Sequence, residues 1–309
     1  MYWIYKAALQ AVLSNIPFGE SINHQLQNLR GGNNLSYVDD YIKHGVEIVN
    51  LLKDKGLQNI KGIKILEVGT GWMPTFPMFF SLLGAGKIYT YDHVRHLRAN
   101  LAESTLSRIE KNFSLINKSL EIPMNKLKER QEKIIIGSNL KVLLDSMNIE
   151  YIAPGDASCT ALPDNSLDLF FSYAVLEHVP EQTVINITKE ALRTLKPGGL
   201  YYNYIGLGDH YVSFDKKISN VNFLKYPEFI WKLLAKNKIT YLNRLRNSQY
   251  IEIIKNCGLD IINVDMNIDK HSVEILKKMK VDKRFKNFEP EDLAVSTSGI
   301  IALKHTVQN

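Results

Sequence analysis

An apolar run that ends in an acid and then breaks into two glycines, ILEVGTGWMP at residues 65–74, restricts the folds open to this chain more than any other stretch. Aliphatic and β-branched side chains closed by glycine read as a buried strand. Where a strand ends in Gly-x-Gly at the start of a helix, the backbone can turn tightly. It also leaves main-chain N–H groups open to a ligand, with no Cβ in the way. Gly69 and Gly71 therefore predict a strand–loop–helix unit with a ligand at the strand's carboxyl end, although the same glycines can serve a tight loop alone. Asp92 lies 92 − 71 = 21 residues after Gly71, at the end of the next predicted strand. A carboxylate there can accept hydrogen bonds from both hydroxyls of a ribose, or can cap the segment that follows.

The hydrophobic pattern beyond this unit alternates. TFPMFFSLL reads as a helix stopped by Gly84 or Gly86, KIYTYD as a second strand, and residues 94–147 as long helices. EYIAPGD, LDLFFSY and LYYNYIG supply three more strands, with the helix EQTVINITKEALRTL and the turn KPGG before the last of them. Strands alternating with helices predict an α/β, doubly wound, Rossmann-like sheet. Two further strands, DIINVDMN and VSTSGIIALKH, have no helix of normal length written between them and are compatible with antiparallel pairing. The expected organisation is a helical extension over residues 1–60 and one domain over 61–309, with insertions near 98–149, 207–245 and 267–293. In an open α/β sheet such insertions fall over the carboxyl edge, where ligands bind. Residues 1–35 and 207–245, rich in aromatics and polar groups, are expected to close over a substrate.

Composition excludes some classes. Lys+Arg 38 against Asp+Glu 32 gives a net charge of +6 over 309 residues, without the dense basic stripe of a nucleic-acid-binding chain, so no nucleic-acid partner is expected. Cys159 and Cys257 have no metal-ligand spacing, which fits a reducing compartment. The opening MYWIYKAALQAVLSNIPFGE is too mixed for a membrane span or a cleaved signal, and the chain is expected to be cytoplasmic.

The ligand class follows from what crowds the loop. A nicotinamide dinucleotide needs a third small residue and a pyrophosphate at the helix start, whereas Trp72, Met73 and Pro74 occupy that approach. Adenosine without a pyrophosphate fits better. In these features the sequence resembles the class I S-adenosylmethionine-dependent methyltransferases, whose first motif, acid-x-Gly-x-Gly, is matched by Glu67, Gly69 and Gly71. The resemblance continues through YDHV, PGDASCTALPDNSLDLFFSYAVLEHVP and ALRTLKPGGLYY, covering residues 62–206. It implies a seven-stranded sheet with an antiparallel last strand, and S-adenosyl-L-methionine as cofactor. Glu67, Gly69, Thr70 and Gly71 would form the loop under the methionine part, and Asp92 with His93 would stand at the ribose. Asp156 and Ala157 would address the adenine, with Ser172 and Tyr173 facing the sulfonium. A weaker resemblance, carried by IPFGESINHQ, GWMPTFP and the segment from DHY to NRLRNSQY, is to a bacterial group associated with surface-polysaccharide and glycan methylation.

Methyl transfer to a hydroxyl needs alignment of donor and acceptor and a group that takes the acceptor's proton. His210, after the fifth strand, is the expected base, oriented by Asp209 or Asp215, and His178 in LEHVP is its rival. No metal is expected. Arg244 and Arg246 could hold an anionic group of the acceptor. The function expected is O-methylation of a small-molecule, sugar or glycan acceptor. The alternatives are an RNA or protein methyltransferase, suggested by KKMKVDKRFK at 277–286, and a cofactor-binding protein without transferase activity.

Overall fold

In the computed structural model of this protein, residues 2–17, 35–137, 139–235 and 241–305 are described. Lys64–Val68 (β1), Lys87–Tyr91 (β2), Ile149–Ile152 (β3), Leu167–Tyr173 (β4), Leu195–Gly206 (β5), Asp260–Ile268 (β6) and Val295–Leu303 (β7) form one seven-stranded sheet in the order β3-β2-β1-β4-β5-β7-β6. β1 pairs in parallel with β2 and with β4, and β2 with β3. β7 runs antiparallel: Leu207 N–H donates to Ser296 O near one end of β5, while Gly198 N–H donates to Lys304 O near the other. The sheet is thus mixed, as expected.

The chain divides into two compact units, residues 1–32, 173–188 and 202–302 in one, and 33–172, 189–201 and 303–309 in the other. The second unit holds β1 to β3 and most of β4. Its first helix, Ser36–Asp54 (α2), buries Val38, Ile42, Val46, Val49 and Leu52 along one face. At Gly45 of that face a Cβ would come 2.9 Å from the Phe79 ring, so helix α3 (Thr75–Leu83) packs too close for any side chain there. Phe80 and Phe76 of α3 meet Phe171 of β4 with ring centroids 5.3 and 5.0 Å apart. α3 ends at Gly84 in the left-handed conformation, φ 100°, as the sequence predicts.

Between β2 and β3 the expected long helices are four short ones, α4 (Ala99–Lys111), α5 (Phe113–Leu120), α6 (Met124–Glu132) and α7 (Leu140–Ser146). α4 gives way to α5 at Asn112, and the later breaks fall at left-handed Glu121, Pro123, left-handed Gly137 and the Asn139 cap. The KPGG segment also differs from the reading. β5 runs through it, because Gly198 takes a positive φ of 81° and still donates its N–H to Lys304 O.

The first unit packs around Trp3, Ala7, Tyr211, Val221, Phe223, Leu224, Trp231, Leu242, Phe285 and Leu293. Helix α1 (Tyr2–Leu13) contributes Trp3, whose ring lies 5.3 Å from those of Tyr211 and Tyr226. Helix α8 (Glu181–Thr194) leads into β5, α9 (Glu228–Ala235) carries Trp231, and α10 (Asn247–Asn256) precedes β6. Two short helices, α11 (Lys270–Leu276) and α12 (Pro290–Leu293), and a 3₁₀ turn at Lys283–Phe285 separate β6 from β7. Of the two segments expected to act as lids, residues 18–34 and 236–240 lie outside the described residues.

Candidate active site

The β1 loop is built by hydrogen bonds that its own sequence supplies. Glu67, 4 % exposed, accepts from Thr90 Oγ1, and the Thr70 and Thr90 hydroxyls stand 2.6 Å apart. Burial pushes the Glu67 carboxyl up to about 8, with the Thr90 hydrogen bond opposing and the nearby Asp92 charge adding to the rise. Glu67 thus ties the end of β1 to β2 beneath the loop. Gly69 and Gly71 take positive φ values of 87° and 64°, which explains the glycines. A Cβ at Gly71 would meet nothing within 4 Å, so open space lies over this turn.

Asp92 closes the loop. Its Oδ2 accepts from Gly71 N–H at 2.8 Å and its Oδ1 from Val94 N–H at 3.2 Å, with His93 Nδ1 at 3.3 Å. Burial alone would raise its pKa, but the hydrogen bonds from His93, Gly71 and Val94 outweigh it, and the carboxyl is held below its ordinary value. Three donors leave a lone pair on a carboxylate that is charged at neutral pH. On the β3 side, Asp156 Oδ1 accepts from Ser158 N–H at 2.8 Å and Ser158 Oγ at 2.7 Å, a local turn beside buried Ala157. Ser172, at the end of β4 in this unit, is fully buried and its hydroxyl has no hydrogen-bond partner. A positive-φ turn with free space, an ionised carboxylate with spare acceptor capacity and an orphaned hydroxyl are what an adenosine-bearing ligand can use.

The other unit holds the remaining expected residues. Tyr173 stacks on Tyr204, ring centroids 4.5 Å apart and planes at 9°. His210 begins a turn of 3₁₀ helix, His210–Ser213, and its ring centroid lies 4.9 Å from that of His178. The two rival bases are therefore neighbours. Desolvation and the nearby His178 depress the His210 pKa, although the residue keeps an exposed side.

The orienting carboxylate differs from the expectation. Asp209 caps the turn by accepting from Tyr211 N–H at 2.9 Å and also accepts from Asn222 Nδ2 at 3.1 Å. Asp215 accepts from Trp3 and Lys217 N–H groups. The acid beside the histidines is instead Glu177, one atom of which lies within 4.8 Å of a nitrogen of each ring. Sequence reasoning passed over it, although its position next to His178 in LEHVP was the available signal.

Arg244 and Arg246, expected to hold an acceptor anion, are each 1 % exposed and engaged within the chain. Arg244 donates to Tyr226 O and Glu228 Oε2, both at 2.6 Å. Arg246 donates to Leu207 O and Val295 O at 2.8 Å and to Leu293 O at 3.1 Å. Their guanidinium groups pin loops together, and the acceptor role is not carried forward.

Residues 132–203 match a family described as "Methyltransferase domain". This segment spans β3, β4 and most of β5, and the cofactor is S-adenosylmethionine. Among solved structures, the chain is similar to a Galdieria sulphuraria protein assigned as a sarcosine dimethylglycine methyltransferase, at 16% identity and a TM-score of 0.47, covering 85% of this chain and 86% of that one. It is also similar to phosphoethanolamine N-methyltransferase 2 of Haemonchus contortus (16% identity, TM-score 0.43, 84% of this chain and 52% of that one). A third is an S-adenosylmethionine-dependent methyltransferase of Mesorhizobium loti (15% identity, TM-score 0.42, 79% and 92%). No curated protein sequence matches the chain. Among the described residues no helix is long and apolar enough to cross a membrane.

Proposed function

We propose that the protein transfers a methyl group from S-adenosylmethionine to a hydroxyl oxygen of a small-molecule or sugar acceptor. The observation that carries the cofactor half is the hydrogen bond from Gly71 N–H to Asp92, which sets the loop and the acid in one arrangement. When bound, S-adenosylmethionine supplies a methyl already activated by its sulfonium, so the protein's task is to bind, align and deprotonate. In this reading Asp92 receives the ribose, the open turn at Gly69 and Gly71 receives the methionine part, Asp156 and Ala157 flank the adenine, and the Ser172 hydroxyl gains the partner it lacks.

A hydroxyl is a poor nucleophile at neutral pH. On the acceptor side we assign His210, with His178 and Glu177 beside it, to receive that hydroxyl and favour loss of its proton. Oxygen is favoured as the atom methylated because two imidazoles and a carboxylate suit an O–H group. Glycans and small metabolites from cells with and without the gene, compared by mass spectrometry, test the acceptor class. A methyl ether lost with the gene and restored by the wild type but not by His210→Ala is the expected result. A lost methyl on protein or RNA would overturn the assignment.

A further inference from the structure

The side chains beside His210 have metal-ligand character. Glu177 and His178 sit on the 3₁₀ turn Leu176–His178, His210 on its own turn, and one carboxylate oxygen and one nitrogen of each ring lie within 4.8 Å of one another. Three features separate this group from an ordinary surface cluster. First, Glu177 is 2 % exposed; its Oε1 accepts from Gly206 N–H at 2.9 Å, but its Oε2 has no partner. A buried carboxylate oxygen left bare is costly unless something binds it.

Second, His178 Nδ1 lies 2.9 Å from the carbonyl oxygen of Tyr241. A carbonyl can only accept, so this geometry assigns the proton to Nδ1 and leaves the Nε2 lone pair available, the arrangement that orients a metal-bound imidazole. Third, a Cβ at Gly206 would fall 2.8 Å from Glu177 Oε1 and 3.6 Å from His210 Nε2. Glycine at this point lets the carboxylate and the ring converge.

We propose that Glu177, His178 and His210 form a binding site for a divalent transition-metal ion, with open coordination positions toward solvent. Two imidazoles and one carboxylate favour zinc or iron over magnesium and calcium, which prefer oxygen ligands throughout. Three protein ligands, two of them on exposed rings, leave room for an oxygen of the acceptor, so the site would be the means by which His210 serves the hydroxyl. Only that use rests on the methyltransferase reading; binding of the ion does not. The proposal departs from the expectation that no metal takes part.

Calorimetric titration of the chelator-treated full chain with zinc chloride tests it, with magnesium chloride in parallel and S-adenosylhomocysteine binding measured on the same samples. One zinc per chain at micromolar affinity or tighter is expected, with magnesium much weaker. His178→Ala and His210→Ala, both on exposed rings, should each weaken zinc by at least about tenfold. Glu177→Gln should do likewise while keeping an acceptor for Gly206 N–H, so its circular dichroism spectrum should be unchanged. A chain that binds S-adenosylhomocysteine but takes up no stoichiometric zinc overturns the proposal, as does zinc uptake that both histidine variants leave intact. A chain that binds zinc through these residues but not S-adenosylhomocysteine supports the site and overturns the methyltransferase reading instead.

Discussion

Two buried glutamates stand at the carboxyl ends of neighbouring strands, Glu67 within β1 and Glu177 on the turn after β4, and their surroundings differ. Glu67, beneath the β1 loop, has its acid satisfied by Thr90, and the Asp92 beside it is held by two backbone N–H groups. Glu177 after β4 has one oxygen on a backbone N–H and the other on nothing. Desolvation raises both glutamate pKa values. The first loop is finished by the protein itself, and a ligand adds to a set structure. The second is left chemically incomplete, which is the condition in which a bound group does the most. The difference teaches that cofactor binding and acceptor chemistry can be broken separately.

The largest effect is expected at the incomplete loop. His210→Ala should lower turnover about a hundredfold to ten-thousandfold, measured once an acceptor is in hand, while calorimetric affinity for S-adenosylmethionine stays within about twofold. Retention of a third of wild-type turnover would remove His210 from the reaction. At the finished loop, Asp92→Ala should weaken cofactor binding by about 1.5–3 kcal/mol, because charge-assisted hydrogen bonds to the ribose and to Gly71 N–H are lost together. Equal affinities would show that Asp92 only caps the loop.

Glu67 allows a pH test of the same contrast. Its folded-state pKa, about 8, lies above the ordinary 4.5, so the protonated form is the one folding favours. Its contribution to stability is full below about pH 4.5 and is lost as pH rises through about 8. Urea unfolding at pH 5 and pH 8.5 should show a decline that Glu67→Gln reduces by about 1–3 kcal/mol, since glutamine can accept from Thr90 without ionising. An identical decline in the variant would mean that Glu67 is charged in the fold. The smallest effect is expected at Ser172. Removing its unpartnered hydroxyl with Ser172→Ala should leave stability within about 0.5 kcal/mol yet weaken S-adenosylhomocysteine a few-fold. Unchanged binding would leave the hydroxyl with no ligand role.

The sequence was most readable where function rests on backbone geometry. Glycine at positive φ, an acid one strand later and a left-handed stop at Gly84 are local signals, and each appears where it was expected. The antiparallel β7 was readable because no helix of normal length separates it from β6. What escaped depends on side chains meeting across large sequence distances. Asp209, next to His210 in the chain, turns its carboxylate to a backbone N–H and Asn222, whereas Glu177, 33 residues away, approaches the ring. Arg244 and Arg246 looked like surface anion clamps because nothing local reveals that Glu228 and a set of carbonyl oxygens bury them. Adjacency in sequence predicts caps well and catalytic partners poorly.

The most direct test of the account is calorimetric titration of the wild-type chain with S-adenosylhomocysteine and with S-adenosylmethionine. One site per chain at a micromolar dissociation constant, about −8 kcal/mol, is the predicted result for both. Absence of saturable binding of either ligand by folded protein would contradict the assignment of this chain as a methyltransferase.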